Sequence, residues 1–212
     1  MIEEQLKPMD RNDQSPTRQI AESALAAAAS HNPGNWISHS RYAAQACENI
    51  ARACQDLDPE KAYVFGLLHD IGRQVGIVKE QHQIEGYHYC MQKGWGAVAK
   101  ICLTHSHPLK DVSKKRGEGD LSPANYAFIK QFIENVDYDD YDRLVQLCDC
   151  LSLPTGFCIV EKRFGDVGIR YGVHEHTVEQ WTRVLEIKAY FETHAGGSIY
   201  RLLPGLCENM IH

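Results

Sequence analysis

Apolar and small residues recur at helical spacing through most of the chain. From Trp36 onward, Ala43, Ala46, Cys47, Ile50, Cys54 and Leu57 fall on one helical face, and His39 lies on the same stripe. The preceding run, Thr17 to Ser30, is rich in alanine, the strongest intrinsic helix former, and His31-Asn32-Pro33-Gly34-Asn35 stops it. Asp58-Pro59 is a helix start, with Asp placed to cap and Pro in the first turn. The helix it opens, through Ala62, Tyr63, Val64, Phe65, Leu67 and Leu68, is apolar nearly all round and therefore belongs at the centre of the fold.

Shorter helices are predicted at about 82–93 and 95–105, with Gly94 and Gly96 near their junction. Pro108 to Leu121 is rich in Lys, Gly and Ser and reads as a surface loop. Helices then resume at about 122–135, 139–153 and 154–164, and a long one covers about 175–194. The acidic cluster Asp137 to Asp142 suits a helix N-terminus, where carboxylates cap free N–H groups, better than a metal site. Few strand patterns and no long repeat are visible, so the expected fold is all-α: one helical-bundle domain over 17–212, with its core at about 36–153, behind a loose arm at 1–16 that contains Pro8 and Pro16.

A net charge of −6 and a pI near 6.0 argue against a surface devoted to duplex nucleic acid, while leaving room for a local basic pocket. No apolar stretch is long enough to cross a membrane, and Met1 to Asp13 is acidic and polar rather than a basic leader, so a cytoplasmic protein is expected. The eight cysteines include no Cys-x-x-Cys pair and read as small buried hydrophobes in a reducing compartment. Cys148 and Cys150 flank Asp149, which keeps thiolate ligation as an alternative to packing there.

The decisive local feature is Gly66-Leu67-Leu68-His69-Asp70-Ile71-Gly72-Arg73, where an apolar helix ends in two potential ligands followed by a glycine. Helix neighbours point about 100° apart, so both reach one cation only beyond the helix C-terminus, where the dipole favours positive charge. A carboxylate buried after such a run costs several kcal/mol unless a cation or hydrogen-bond donors compensate it. A His-Asp pair bonded to backbone or to an arginine would also satisfy it. Asp149, inside Leu144-Val145-Gln146-Leu147-Cys148-Asp149-Cys150-Leu151, is a second carboxylate in apolar surroundings, and His39 adds an imidazole from an apolar face. Together they point toward a metal.

The order His39, His69-Asp70 inside GLLHDIGR, then Asp149 inside LVQLCDCLSLP, resembles the HD-domain superfamily of metal-dependent phosphohydrolases over about residues 20 to 165. HQIEGY from His82 and ICLTHSHP around His105 are similar to the two added histidines of binuclear members of the HDIG type, which implies a second ion held by His82 and His105 and bridged by Asp70. His88 and His107 compete for those roles, although His107 is out of phase with Val98, Ile101 and His105. His31, His174, His176, His194 and His212 fall outside the pattern and are expected to be solvated.

The resemblance implies hydrolysis of a phosphomonoester, phosphodiester or nucleotide by a metal-activated hydroxide, with His69, Asp70 and Arg73 as the catalytic group and one or two divalent transition-metal ions. A mixed imidazole and carboxylate shell suits Fe, Mn, Co, Ni or Zn. The expected partner is a small anionic phosphorylated substrate. Its cationic contacts would come from Arg73, from Lys110, Lys114, Lys115 or Arg116 in the loop, or from Lys162-Arg163, and Trp36 would either stack a base or serve the core. Two other readings stay open: oxygen chemistry on two irons, as in the related myo-inositol and phosphonate-cleaving oxygenases, and a metal- or nucleotide-binding sensor without turnover. The oligomeric state is left open.

Overall fold

The computed structural model describes residues 14–114 and 119–211, and the fold over them is all-α. Most of the anticipated N-terminal arm lies outside the described residues. Helix α1, Arg18–His31, is capped by Thr17, whose hydroxyl accepts from the Ile20 amide. Helix α2 is Asn35–Ala53 and α3 is Pro59–Leu68, where Asp58 accepts from the amides of Glu60 and Lys61 as the sequence signal required.

A 3₁₀ turn, Ile71–Val75, then leads to α4, Gln81–Gln92, and α5, Gly96–Thr104. Helix α6 is Pro123–Asn135, capped by Ser122, and α7 is Asp140–Cys150. The acidic cluster forms a capping box at α7: Asp139 accepts from the Tyr141 and Asp142 amides, and Asp142 accepts from the Asp139 amide at 2.8 Å. Asp142 is fully buried and is compensated there by Lys100 and Thr104.

The segment after α7 departs from the expected helices at 139–153 and 154–164. Helix α7 ends at Cys150, and a minimal antiparallel pair follows, β1 Ser152–Leu153 with β2 Gly156–Phe157, in which Leu153 pairs with Gly156. Pro154 and Thr155 form its turn, and Gly156 takes φ 145°, which other residues rarely adopt. Helix α8 therefore starts only at Val160 and runs to Tyr171. Helix α9 is Thr177–His194, and a 3₁₀ turn, Ile199–Leu202, precedes the short α10, Leu206–Ile211.

Helix α3 is the axis of the core: Ala62, Tyr63, Val64, Phe65, Leu67 and Leu68 are all buried. Each large apolar side chain there stabilises the fold by about 1.5–3 kcal/mol relative to exposure. Two glycines set the approach of the helices around it. A Cβ on Gly66 would stand 2.8 Å from the Ala43 carbonyl oxygen and the Ala44 Cα, so α2 and α3 touch backbone to backbone. A Cβ on Gly72 would stand 1.9 Å from the His82 carbonyl oxygen and 2.4 Å from the Gly86 nitrogen, which locks the 3₁₀ turn onto α4.

No helix among the described residues is long and apolar enough to cross a membrane. All eight cysteines are free, and only Cys207 is exposed. Burial, and then the neighbouring Asp149 charge, push the Cys150 thiol up to about 12, and burial beside Cys47 raises Cys148 as well. Both behave as packing residues rather than thiolates.

Candidate metal centre

His39 projects from the buried face of α2, and His69 caps the end of α3. Asp70 then leaves the helix at φ −103°, ψ 13° and starts the 3₁₀ turn. His82 sits in the first turn of α4, and His105 caps the end of α5. All five side chains are buried. The backbone contact at Gly66 brings His39 beside His69, with ring centroids 5.2 Å apart, and the Gly72 contact draws His82 in toward Asp70.

The protonation of the rings can be read from their partners. Nδ1 of His39 donates to the Ser152 carbonyl at 3.0 Å, Nδ1 of His69 to Gly66 at 2.7 Å and Nδ1 of His105 to Ile101 at 3.1 Å, while Nδ1 of His82 donates to Lys79. A carbonyl oxygen only accepts, so each Nδ1 carries the proton and each Nε2 of a neutral ring presents a lone pair. Those lone pairs converge on acidic oxygen. Nε2 of His82 lies 3.2 Å from Asp70 Oδ1 and Nε2 of His105 lies 3.8 Å from it, while Nε2 of His69 is 3.8 Å from Oδ2.

The result is two triads of possible ligands that share one carboxylate: His39, His69 and Asp70, and Asp70, His82 and His105, with ligand atoms within 4.8 Å of one another in each. Asp149 of α7 lies just outside the first triad. Its Oδ1 is 3.1 Å from His39 Nε2, and its side chain is 26% exposed, so it faces the same cleft without joining the close set.

These atoms fit a cation. The Nε2 atoms of His82 and His105 face each other at 3.3 Å, an arrangement of two lone pairs that is repulsive unless a positive charge lies between or beside them. His69 Nε2 and Asp70 Oδ1 are buried with no hydrogen bond, although groups this deep are normally satisfied. Backbone carbonyls fixing the far nitrogen of each imidazole are the usual support of metal-binding histidines.

The electrostatics agree with the geometry. Burial works against the charge of Asp70, yet the surrounding imidazoles when protonated, His69 foremost, and the Arg73 guanidinium hold its carboxyl well below the usual range. Asp149 is also far below it, because His39 and Arg163 outweigh the cost of burial. Burial, reinforced by neighbouring imidazoles, lowers His69 and His105, a shift that favours the neutral, ligand-competent form. His39 is the exception: burial opposes its charge, but Asp149 raises it overall.

The competing histidines lie elsewhere. His107 is buried but bonds Gln83 Oε1 through Nε2 at 2.8 Å, and its carbonyl accepts from Tyr138, outside both triads. His88 is half-buried against Tyr87 and is likewise in neither triad. His31 and His194 are exposed and bond carbonyls of their own helices, while His174 and His176 are half-buried rather than fully solvated. His212 falls outside the described residues.

A cleft of about 810 Å³ opens onto the centre and is lined by His39, Asp70, His105 and Asp149 together with Trp36, Arg73, Arg163, Asp166 and Arg170. Arg73 is largely committed, with Nε donating to Asp70 Oδ2 at 2.6 Å and one amino group to the Val78 carbonyl. The indole of Trp36, half-buried on the wall, is fixed by its bond to the Asn32 carbonyl at 2.9 Å.

Among the described loop cations, neither Lys110 nor Lys114 lines the cleft. Lys110 lies over the Tyr138 ring, Lys114 pairs with Glu179 on α9, and Lys115 and Arg116 fall outside the described residues. The expected helix ends at 164, short of Asp166 and Arg170, whereas α8 continues to Tyr171. Their spacing from Arg163 along an amphipathic helix was the signal that could have found them.

A family model, the HDOD domain, matches residues 17–104, and neither a curated protein nor a solved structure matches the chain. That stretch is less than half of the chain; it contains α1 to α5 with His39, His69, Asp70 and His82, and it ends one residue before His105. Asp149, Arg163, Asp166 and Arg170 lie beyond it. Over its N-terminal half, the chain is therefore similar to an HD-related domain.

Proposed function

We propose that the cleft is the active site of a metal-dependent phosphohydrolase. The observation that carries this reading is the inward turn of four imidazoles, each with its Nδ1 proton held by a backbone carbonyl, around a buried carboxylate whose outer oxygen has no hydrogen bond. Imidazole nitrogens with a carboxylate oxygen are a donor set suited to a divalent transition-metal cation. His39, His69 and Asp70 would hold one ion, Asp70 with His82 and His105 a second, and Asp149 would support the first through His39 or by direct ligation.

A bound divalent ion supplies a coordinated water of lowered pKa and charge neutralisation at phosphorus. The chain's own residues do the rest. Asp70 fixes both triads in register, and Arg73 holds Asp70 in place through its 2.6 Å bond. Arg163, beside Asp149 at the centre, offsets the charge of a phosphate ester. Three arginines face three carboxylates in the cleft, so any bound divalent ion tips the cleft to net positive and favours an anionic substrate.

The test is elemental analysis of protein purified without chelator, followed by a panel of phosphomonoesters, phosphodiesters and nucleotides assayed in air and without oxygen. Hydrolysis that is equal in both atmospheres, dependent on metal and lost in Asp70→Ala is the expected outcome, read as phosphate from a monoester or as the monoester product from a diester. Turnover seen only in air would point instead to oxygenase chemistry. Metal-loaded protein that binds the panel without turning over any member would make the chain a binding module.

A further inference from the structure

Helix α8 forms one wall of the cleft, and its orientation is fixed from behind. Val160 and Phe164 are buried, and Phe164 stacks on Trp181 of α9 with ring centroids 5.0 Å apart and planes 7° from parallel. The face turned to the cleft carries Arg163, Asp166 and Arg170, the i, i+3, i+7 positions of one helical stripe. Seven residues at 1.5 Å per residue separate the two arginines by about 10 Å along the axis.

The inner arginine stands at the metal centre. Arg163 lies 3.8 Å from Asp149 Oδ1, beyond hydrogen-bond distance, whereas Arg73 on the facing wall is held at 2.6 Å by Asp70. Arg163 can therefore exchange its loose carboxylate contact for a phosphate oxygen at little cost. The outer arginine is exposed at the mouth and folds back along the same face, its Nε donating to the Asp166 carbonyl at 3.3 Å. The half-buried Asp166 side chain stands between them and repels an anion lying along the middle of the stripe. It divides the wall into two anion positions instead of one continuous track.

We propose that α8 is a two-point anion ruler: Arg163 takes the phosphate held at the metal centre and Arg170 takes a second anionic group, so the cleft selects organic phosphates with two separated phosphate groups over simple monoesters. The assignment rests on the phosphohydrolase reading for which phosphate reacts, but not for the selectivity itself. It concerns a helix outside the segment that matches the HDOD model, so it belongs to this chain's own cleft. The carrier of the two phosphates has two candidate sources, a nucleotide or a sugar. The fixed Trp36 indole, which lines the same cleft, offers a planar surface that only the first would use.

Titration calorimetry of the metal-loaded protein tests this with two pairs of probes: adenosine 5′-monophosphate against adenosine 3′,5′-bisphosphate, and fructose 6-phosphate against fructose 1,6-bisphosphate. In at least one pair the bisphosphate is expected to bind about tenfold tighter, the worth of one charge-assisted contact. Arg170→Gln should erase that advantage and leave the monophosphate unchanged, while Arg163→Gln weakens both members. Both variants should keep wild-type metal content. A gain confined to the adenosine pair and reduced in Trp36→Leu identifies the nucleotide, and a gain in the fructose pair identifies the sugar phosphate. Either supports the ruler. Equal binding of both members in both pairs, or an advantage that survives Arg170→Gln, overturns it. Hydrolysis of phosphoesters without any bisphosphate advantage would remove the ruler and keep the hydrolase; the advantage without hydrolysis would do the reverse.

Discussion

The two walls of the cleft are built on different principles. On the α2 to α5 side, every candidate ligand is buried, each imidazole is tied to a backbone carbonyl, and the helices meet at glycine contacts that leave no slack. On the α7 to α8 side, Asp149 is partly exposed, Arg163 touches it only at 3.8 Å, and Arg170 is solvent-exposed. The first wall is fixed, as the proposed metal centre requires. The second is adjustable, as the proposed anion site requires. The same division follows the family match, which covers the rigid wall almost to its end and none of the adjustable one.

The largest effect should come from breaking the rigid wall at its tightest point. Gly72→Ala places a methyl group against the His82 carbonyl and the Gly86 nitrogen, which cannot both yield. A loss of about 2–4 kcal/mol in unfolding free energy is expected, with partial release of metal, read by urea denaturation and elemental analysis. Gly165→Ala, on the adjustable wall where a Cβ meets nothing within 4 Å, is the control and should not destabilise.

Next in size is removal of the shared carboxylate. Asp70→Ala should abolish binding at both triads, whereas His39→Ala and His105→Ala should each reduce metal content by about half if two ions bind, as structural metal sites rarely tolerate loss of one of three ligands. A smaller change is expected for Asp149→Asn, which keeps a group beside His39 but removes the charge. Metal affinity should fall about 10- to 100-fold if Asp149 acts through His39, and binding at the first triad should disappear if it ligates directly.

The mildest comparison uses pH on the metal-free protein. His69 and His105 have lowered folded values, so their contribution is present above the unfolded histidine value of about 6.5 and is lost as pH falls below it. Asp70 and Asp149, also lowered, contribute above the unfolded carboxylate value of about 3.9 and lose that contribution in turn below it. His39, raised by Asp149, works in the opposite direction and offsets part of the first phase. The urea midpoint should therefore start to decline near pH 6.5, and metal loading should move the decline to lower pH. A midpoint flat from pH 8 to pH 4 would contradict the account.

Much of the rigid wall was legible as residue types and helical phase. The cap at Asp58, the apolar run of α3, the stop at His69-Asp70 and the capping role of the Asp139 cluster are local properties, decided within a few residues, and they appear where the sequence put them. The hairpin at 152–157 was read as helix because its two strands are too short to show alternation, and that error hid the length of α8 and with it Arg170.

What the sequence by itself determined was an all-helical chain with imidazoles and carboxylates on apolar faces. Which of them meet was decided only in three dimensions. His105 enters a triad while His107, two residues on, bonds Gln83, and the difference lies in which neighbours each side chain reaches from the end of α5. The tautomers of the four rings depend on carbonyls as distant in sequence as Ser152, 113 residues from His39, and no local pattern encodes that contact. Helical periodicity fixes directions around one axis, but the distance between axes is set by the residues at the crossing, here Gly66 and Gly72, where a Cβ would collide with the facing backbone.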